Sequence, residues 1–100
     1  MYYIYILYSS SADKFYIGYT DNPERRLNEH NTSEHSTFTS KFRPWIMKAI
    51  YECSESRQIA INIERLIKRQ KSRSLIEKMV RGEKLSGELA QLVRVPHLRD

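Results

Sequence analysis

The sequence predicts an α+β fold, a three-stranded antiparallel sheet flanked by helices in the order ββαβαα. Three observations carry that expectation. Two runs of β-branched and aromatic residues, YYIYILY at 2–8 and FYIGYT at 15–20, flank the turn-forming SSSAD, which is the composition of a hairpin. A third run, WIMKAIYEC at 45–53, follows Pro44 and reads as a strand. Elsewhere apolar residues recur at helical spacing behind residues able to cap a helix.

After the hairpin, Asp21 or Asn22 can cap a helix, Pro23 suits its first turn, and Glu24 complements its dipole, so a helix is expected over about 23–30. Residues 31–43 read as polar loop before the third strand, with Trp45 packed on the core. Ser54 or Ser56 can cap a second helix in which Ile59, Ile63, Leu66 and Ile67 form a core stripe. Ser72 or Ser74 restarts a helix through Leu75, Ile76, Met79 and Val80, and Gly82 after Arg81 is placed to end it. From Glu83 onward there is room for a further helical turn or two, so the expected division is one domain over 1–82 and a short C-terminal extension over 83–100.

A chain of 100 residues, 40% of them hydrophobic, supports one core. Its net charge of +5 favours anionic partners, nucleic acid among them. Cys53 is alone, so an intramolecular disulfide is impossible; it reads as a small buried hydrophobe in a reducing compartment. The opening MYYIYILYSS has no basic leader and is too short to span a bilayer. A cytoplasmic protein with no membrane association is expected. His35 and His97 have no partners at metal-ligand spacing and read as surface residues.

If Tyr8 pairs with Phe15, the hairpin places Tyr3, Tyr5, Leu7, Tyr16, Gly18 and Thr20 on one face; a register shifted by one puts Tyr5 and Tyr16 on opposite faces. Gly18, with no side chain, is expected to leave a hollow between the phenols for a metal, a phosphate or another backbone. Arg26 and His30, four apart, share a helix face. Phenols, a guanidinium and an imidazole on one surface suit the holding and hydrolysis of a phosphodiester. Glu64 has Ala60, Ile61 and Ile67 within a turn, and an unpaired carboxylate there is costly. A divalent cation would resolve that cost; so would a routine ion pair with Lys68.

These residues resemble the GIY-YIG nuclease domain, also called the URI domain, of the small stand-alone bacterial type. Tyr3-Ile4-Tyr5 stands in the place of the first motif, Tyr16-Ile17-Gly18 is the second unaltered, and Arg26-Leu27 with His30 resembles the family's catalytic helix. Glu64 is similar in placement to the metal-binding glutamate, and FTSKFRPW at 38–45 resembles the loop before the third strand. Together the motifs cover about residues 2–80. Tyr3 departs from the glycine that begins the first motif, and the carboxy-terminal asparagine of some homing-type members has no clear counterpart.

The resemblance implies a metal-dependent DNA endonuclease with weak sequence specificity, in DNA repair or recombination. Tyr5, Tyr16, Arg26 and His30 would be catalytic, with Gly18 structural at the site. Glu64 would hold one divalent ion, magnesium with manganese able to substitute, and no small-molecule cofactor is expected. Which tyrosine is the base stays open. DNA contacts are expected from Lys41, Arg43, Arg65, Lys68, Arg69, Lys71 and Arg73, a set suited to phosphates rather than base edges. The alternatives are a nucleic-acid-binding module of the same fold with little or no turnover, and a protein-interaction adaptor.

Overall fold

The computed structural model describes residues 1–34 and 38–96; His35 and His97, expected at the surface, lie outside the described residues. Strands β1 (Tyr2–Ser9) and β2 (Lys14–Thr20) form the hairpin, followed by helix α1 (Pro23–Thr32), strand β3 (Ile46–Ser54) and helices α2 (Arg57–Arg69) and α3 (Arg73–Val80). These are the expected three antiparallel strands in the order ββαβαα. A fourth strand, β4 (Val93–Arg94), pairs with β3, so the sheet runs β2-β1-β3-β4. Two residues are too few for alternation to register as a strand in the sequence.

Capping decides where each helix starts. Asn22, Ser56 and Ser72 each occupy an N-cap in extended conformation, and their side chains accept from the backbone N–H of Arg25, Ile59 and Leu75. Each such cap stabilises by about 1 kcal/mol. Gly82, at φ +74°, takes the left-handed conformation that follows the end of α3.

β1 is central and covered on both faces, which is why its sequence runs apolar without alternation. Ile4 and Ile6, with Ile17, Ala49 and Tyr51, pack against Ile63 and Ile67 of α2 and Ile76 and Met79 of α3. On the opposite face Tyr5 and Leu7 pack with Trp45, and Tyr16, Leu27, Phe42 and Met47 border them. Cys53 is half-buried against the first layer, and burial pushes its thiol up.

The segment after α3 closes that first layer rather than trailing from it. A 3-10 turn at Gly87–Gln91 buries Leu89, and Leu92 follows it into the core. Tyr51 Oη and Arg94 Nη1 both donate to the Met79 carbonyl, at 2.6 and 3.0 Å, so strand and tail hold the last turn of α3 between them. No described helix is long and apolar enough to cross a membrane.

Candidate active site

Tyr5 lies directly across the ladder from Gly18, in the register that pairs Tyr8 with Phe15, and the Tyr5 and Tyr16 rings share a face with centroids 6.4 Å apart. Gly18 serves a different end from the one expected. A Cβ at position 18 would stand 2.5 Å from Tyr5 Cζ and 2.8 Å from Cε1, and would also collide with Oη. The place a side chain would take at position 18 is therefore filled by the Tyr5 ring, while the glycine itself borders the cleft.

Tyr5 is fully buried, and its hydroxyl lies 2.8 Å from His30 Nε2; His30 Nδ1 lies 2.9 Å from Thr39 Oγ1. Burial, reinforced by the neighbouring Tyr16, raises the Tyr5 phenol above its ordinary value. Burial also pushes His30 down to about 4, and the Arg26 charge acts in the same direction. At neutral pH Tyr5 thus keeps its proton and His30 is uncharged. A buried phenol must donate somewhere, and its partner here is Nε2, which leaves Nδ1 to donate to Thr39. Trp45 Nε1 donates to the Thr39 carbonyl at 2.7 Å, and the Asn31 side chain bonds both the N–H and the C=O of Trp45. These bonds tie Thr39 and Trp45 to the end of α1. Thr39 is the member of this chain that the sequence did not disclose, since no local pattern ties a loop threonine to a histidine nine residues earlier.

α2 packs on the isoleucine face of the sheet, whereas the two phenols lie on the other. They meet because β2 is the sheet's edge: a cleft of about 420 Å³ opens there, lined by Tyr5, Tyr16 and Gly18 from the strands, Arg26 from α1, and Arg57 and Glu64 from α2. His30 stands behind Tyr5 and is not part of the lining. Arg26 Nη1 is 3.0 Å from Glu29 Oε1. Arg57, also unforeseen, donates to Tyr19 Oη at 3.0 Å on the cleft wall.

The Glu64 side chain is 16% exposed and lies 3.6 Å from Lys68 Nζ, so the helix ion pair and the place in the cleft coincide. Lys68 is drawn in with it, its ammonium 5.3 Å above the Tyr16 ring. Among the described residues, no three His, Cys, Asp or Glu side chains group as a metal cage. Of the other acidic residues on the lining, Asp21 is tied to Arg25 and Glu29 to Arg25 and Arg26. A single hard oxygen donor fits a cation that keeps water and phosphate for most of its shell, as magnesium does, and does not fit a closed tetrahedral zinc site.

Besides Lys68, two more of the expected DNA contacts are engaged within the fold. Arg43 donates from Nε to the His30 carbonyl and from Nη2 to the Ser33 carbonyl, each at 2.7 Å, closing the end of α1. Arg73 reaches Asp13 Oδ1 at 2.6 Å and Glu77 at 3.1 Å, with its guanidinium 5.0 Å over Phe15, and so pins the hairpin turn to the start of α3. In the fold, carbonyls and carboxylates from other elements have taken their donors. Lys41, Arg65, Arg69 and Lys71 are exposed.

Fold and cleft together define a small α+β domain built around a tyrosine on the central strand β1 and another on the edge strand β2 beside it. The chain belongs to the GIY-YIG family: the GIY-YIG catalytic domain matches residues 1–78. It is 36% identical over 78 residues to a UPF0213 protein of Haloquadratum walsbyi, covering 75% of this chain and 85% of that one. A UPF0213 protein of Limosilactobacillus reuteri is 37% identical over 73 residues, 72% of this chain and 75% of the relative. The structure-specific endonuclease subunit SLX1 of Debaryomyces hansenii is 39% identical over 67 residues, 61% of this chain but 19% of that protein.

Proposed function

We propose that this protein is a divalent-metal-dependent DNA endonuclease with weak sequence preference, acting in repair or recombination. The observation that carries the reading is the convergence of Tyr16, Arg26 and Glu64 on one cleft at the sheet edge. In this reading Glu64 holds the ion, which when bound supplies positive charge to the phosphate and the leaving oxygen. Arg26 binds the non-bridging oxygens as their charge grows, releasing part of its pairing with Glu29. Tyr16 is a partly exposed residue of the lining, and no hydrogen bond to its hydroxyl is formed among the described residues. It is therefore the phenol available to take a proton from the attacking water. Tyr5, whose raised pKa keeps it protonated toward His30, positions Tyr16 and walls off the site. Lys68 above the Tyr16 ring stabilises negative charge developing on that phenol. The exposed Lys41, Arg65, Arg69 and Lys71 neutralise phosphates beyond the scissile one without reading bases.

The test incubates the purified protein with nicked, branched and single-stranded DNA in magnesium. Cleavage should fall by at least about 100-fold in both Glu64→Ala and Tyr16→Phe, in line with the loss of a group acting in the transition state. Salt-sensitive retardation without products from the unaltered protein would instead identify a binding module.

A further inference from the structure

Beside the cleft, on the outer side of β2, lies a second groove of about 480 Å³ whose walls include Lys14, Phe15, Tyr16, Phe38, Lys68 and Lys71. Tyr16 lines both cavities, and Lys68 on the groove wall is the partner of Glu64 in the cleft, so one begins where the other ends. Its charge is positive. The acidic residue on its rim, Asp13, is held below the usual carboxylate range by the Tyr8 hydroxyl and by Arg73 and is neutralised there, whereas Lys14, Lys68 and Lys71 are exposed. Phe38 is 53% exposed, unusual for a phenylalanine; it stacks on Tyr16 with an interplanar angle of 27° and meets Phe42 edge-on. Tyr16 and Phe42 back the ring, and more than half of the residue stays exposed.

We propose that this groove is a subsite for unpaired nucleotides adjoining the scissile phosphate, with one base stacked on Phe38 and the flanking phosphates on Lys14 and Lys71. The proposal rests on the nuclease reading and adds a substrate class to it: DNA with a single-stranded segment leaving the cleft. Lysines alone would serve duplex and single strand alike. The exposed aromatic decides between them, because a base in a duplex has both faces covered by its neighbours, while an unpaired base offers one to the ring. Such stacking is tolerant of sequence.

The experiment measures binding by fluorescence anisotropy in chelator, at fixed salt, with a single-stranded oligonucleotide and a blunt duplex of the same sequence. Phe38→Ala should weaken the single strand by about 5- to 100-fold and the duplex by less than about twofold, while Phe38→Trp restores the single strand. Lys71→Ala should reduce the slope of log K against log salt for the single strand by about 0.7. Equal effects of Phe38→Ala on both ligands, or none on either, overturn the proposal. Because cleavage plays no part in this readout, Phe38-dependent binding by a protein that cuts nothing sinks the nuclease reading and leaves the subsite standing. Cleavage by a protein whose binding ignores Phe38 does the reverse.

Discussion

Replacing Gly18 with alanine adds one methyl group where the Tyr5 ring already lies. The new Cβ would sit 2.5 Å from Tyr5 Cζ and 2.8 Å from Cε1, about 1 Å inside ordinary carbon contact. The ring has little room to yield, since it is fully buried, its hydroxyl lies 2.8 Å from His30 and the Tyr16 ring is tilted beside it at 6.4 Å. Overpacking of this kind costs about 1–3 kcal/mol, and breaking the buried bond to His30 adds about 1–3 more. The expected loss is about 2–6 kcal/mol, a large share of the roughly 5–15 kcal/mol that holds a domain of this size together. Urea titration at constant m-value should show it, and the melting temperature should drop by about 10 °C or more. A second variant isolates the cause. In a Tyr5→Leu background the offending ring atoms are gone, and alanine at position 18 should then be neutral or better by about 0.5–1 kcal/mol, as alanine generally is over glycine in a strand. If Gly18→Ala costs less than about 0.5 kcal/mol alone, or costs the same in both backgrounds, the close approach of Tyr5 is not what requires glycine there.

Two further outcomes follow from the same neighbourhood. His30 is held at about 4 against 6.5 in the unfolded chain, so between those values the unfolded state binds more protons and stability rises with pH. The contribution, about 3 kcal/mol, is complete above 6.5 and is lost as pH falls toward 4; His30→Gln should flatten the stability curve over that window, and an unchanged slope would refute the assignment. Arg43→Ala should destabilise the fold by about 1.5–3 kcal/mol by leaving the carbonyls at the end of α1 without their charged donor, with the salt dependence of DNA binding unmoved; a reduced salt slope would return Arg43 to the phosphate contacts.

The elements were legible where the signal is local. Strand composition, three capping side chains and the isoleucine stripe of α2 lie within a few residues of what they determine, and each survives in the fold. Hairpin parity was open because the turn SSSAD does not dictate which residues pair; the structure settles it by setting Tyr5 against Gly18. Charge was the least legible property. A lysine or arginine announces itself in sequence but not its counterpart, so Arg43 and Arg73 read as surface cations until the His30 carbonyl and Asp13 were brought to them from 13 and 60 residues away. Thr39 and β4 were invisible for the same reason in a stronger form: one hydroxyl and two paired residues have no pattern of their own.

The grip of Tyr51 and Arg94 on the Met79 carbonyl bears on how this protein can be cut down. A fragment trimmed to the stretch shared with the family ends at residue 78, one position short of the carbonyl both side chains hold. It would discard Met79, Leu89 and Leu92 from the buried cluster that also holds Ile4 and Tyr51. Boundaries drawn from similarity alone would therefore leave that cluster incomplete, and a fragment that keeps these contacts runs at least through Arg94.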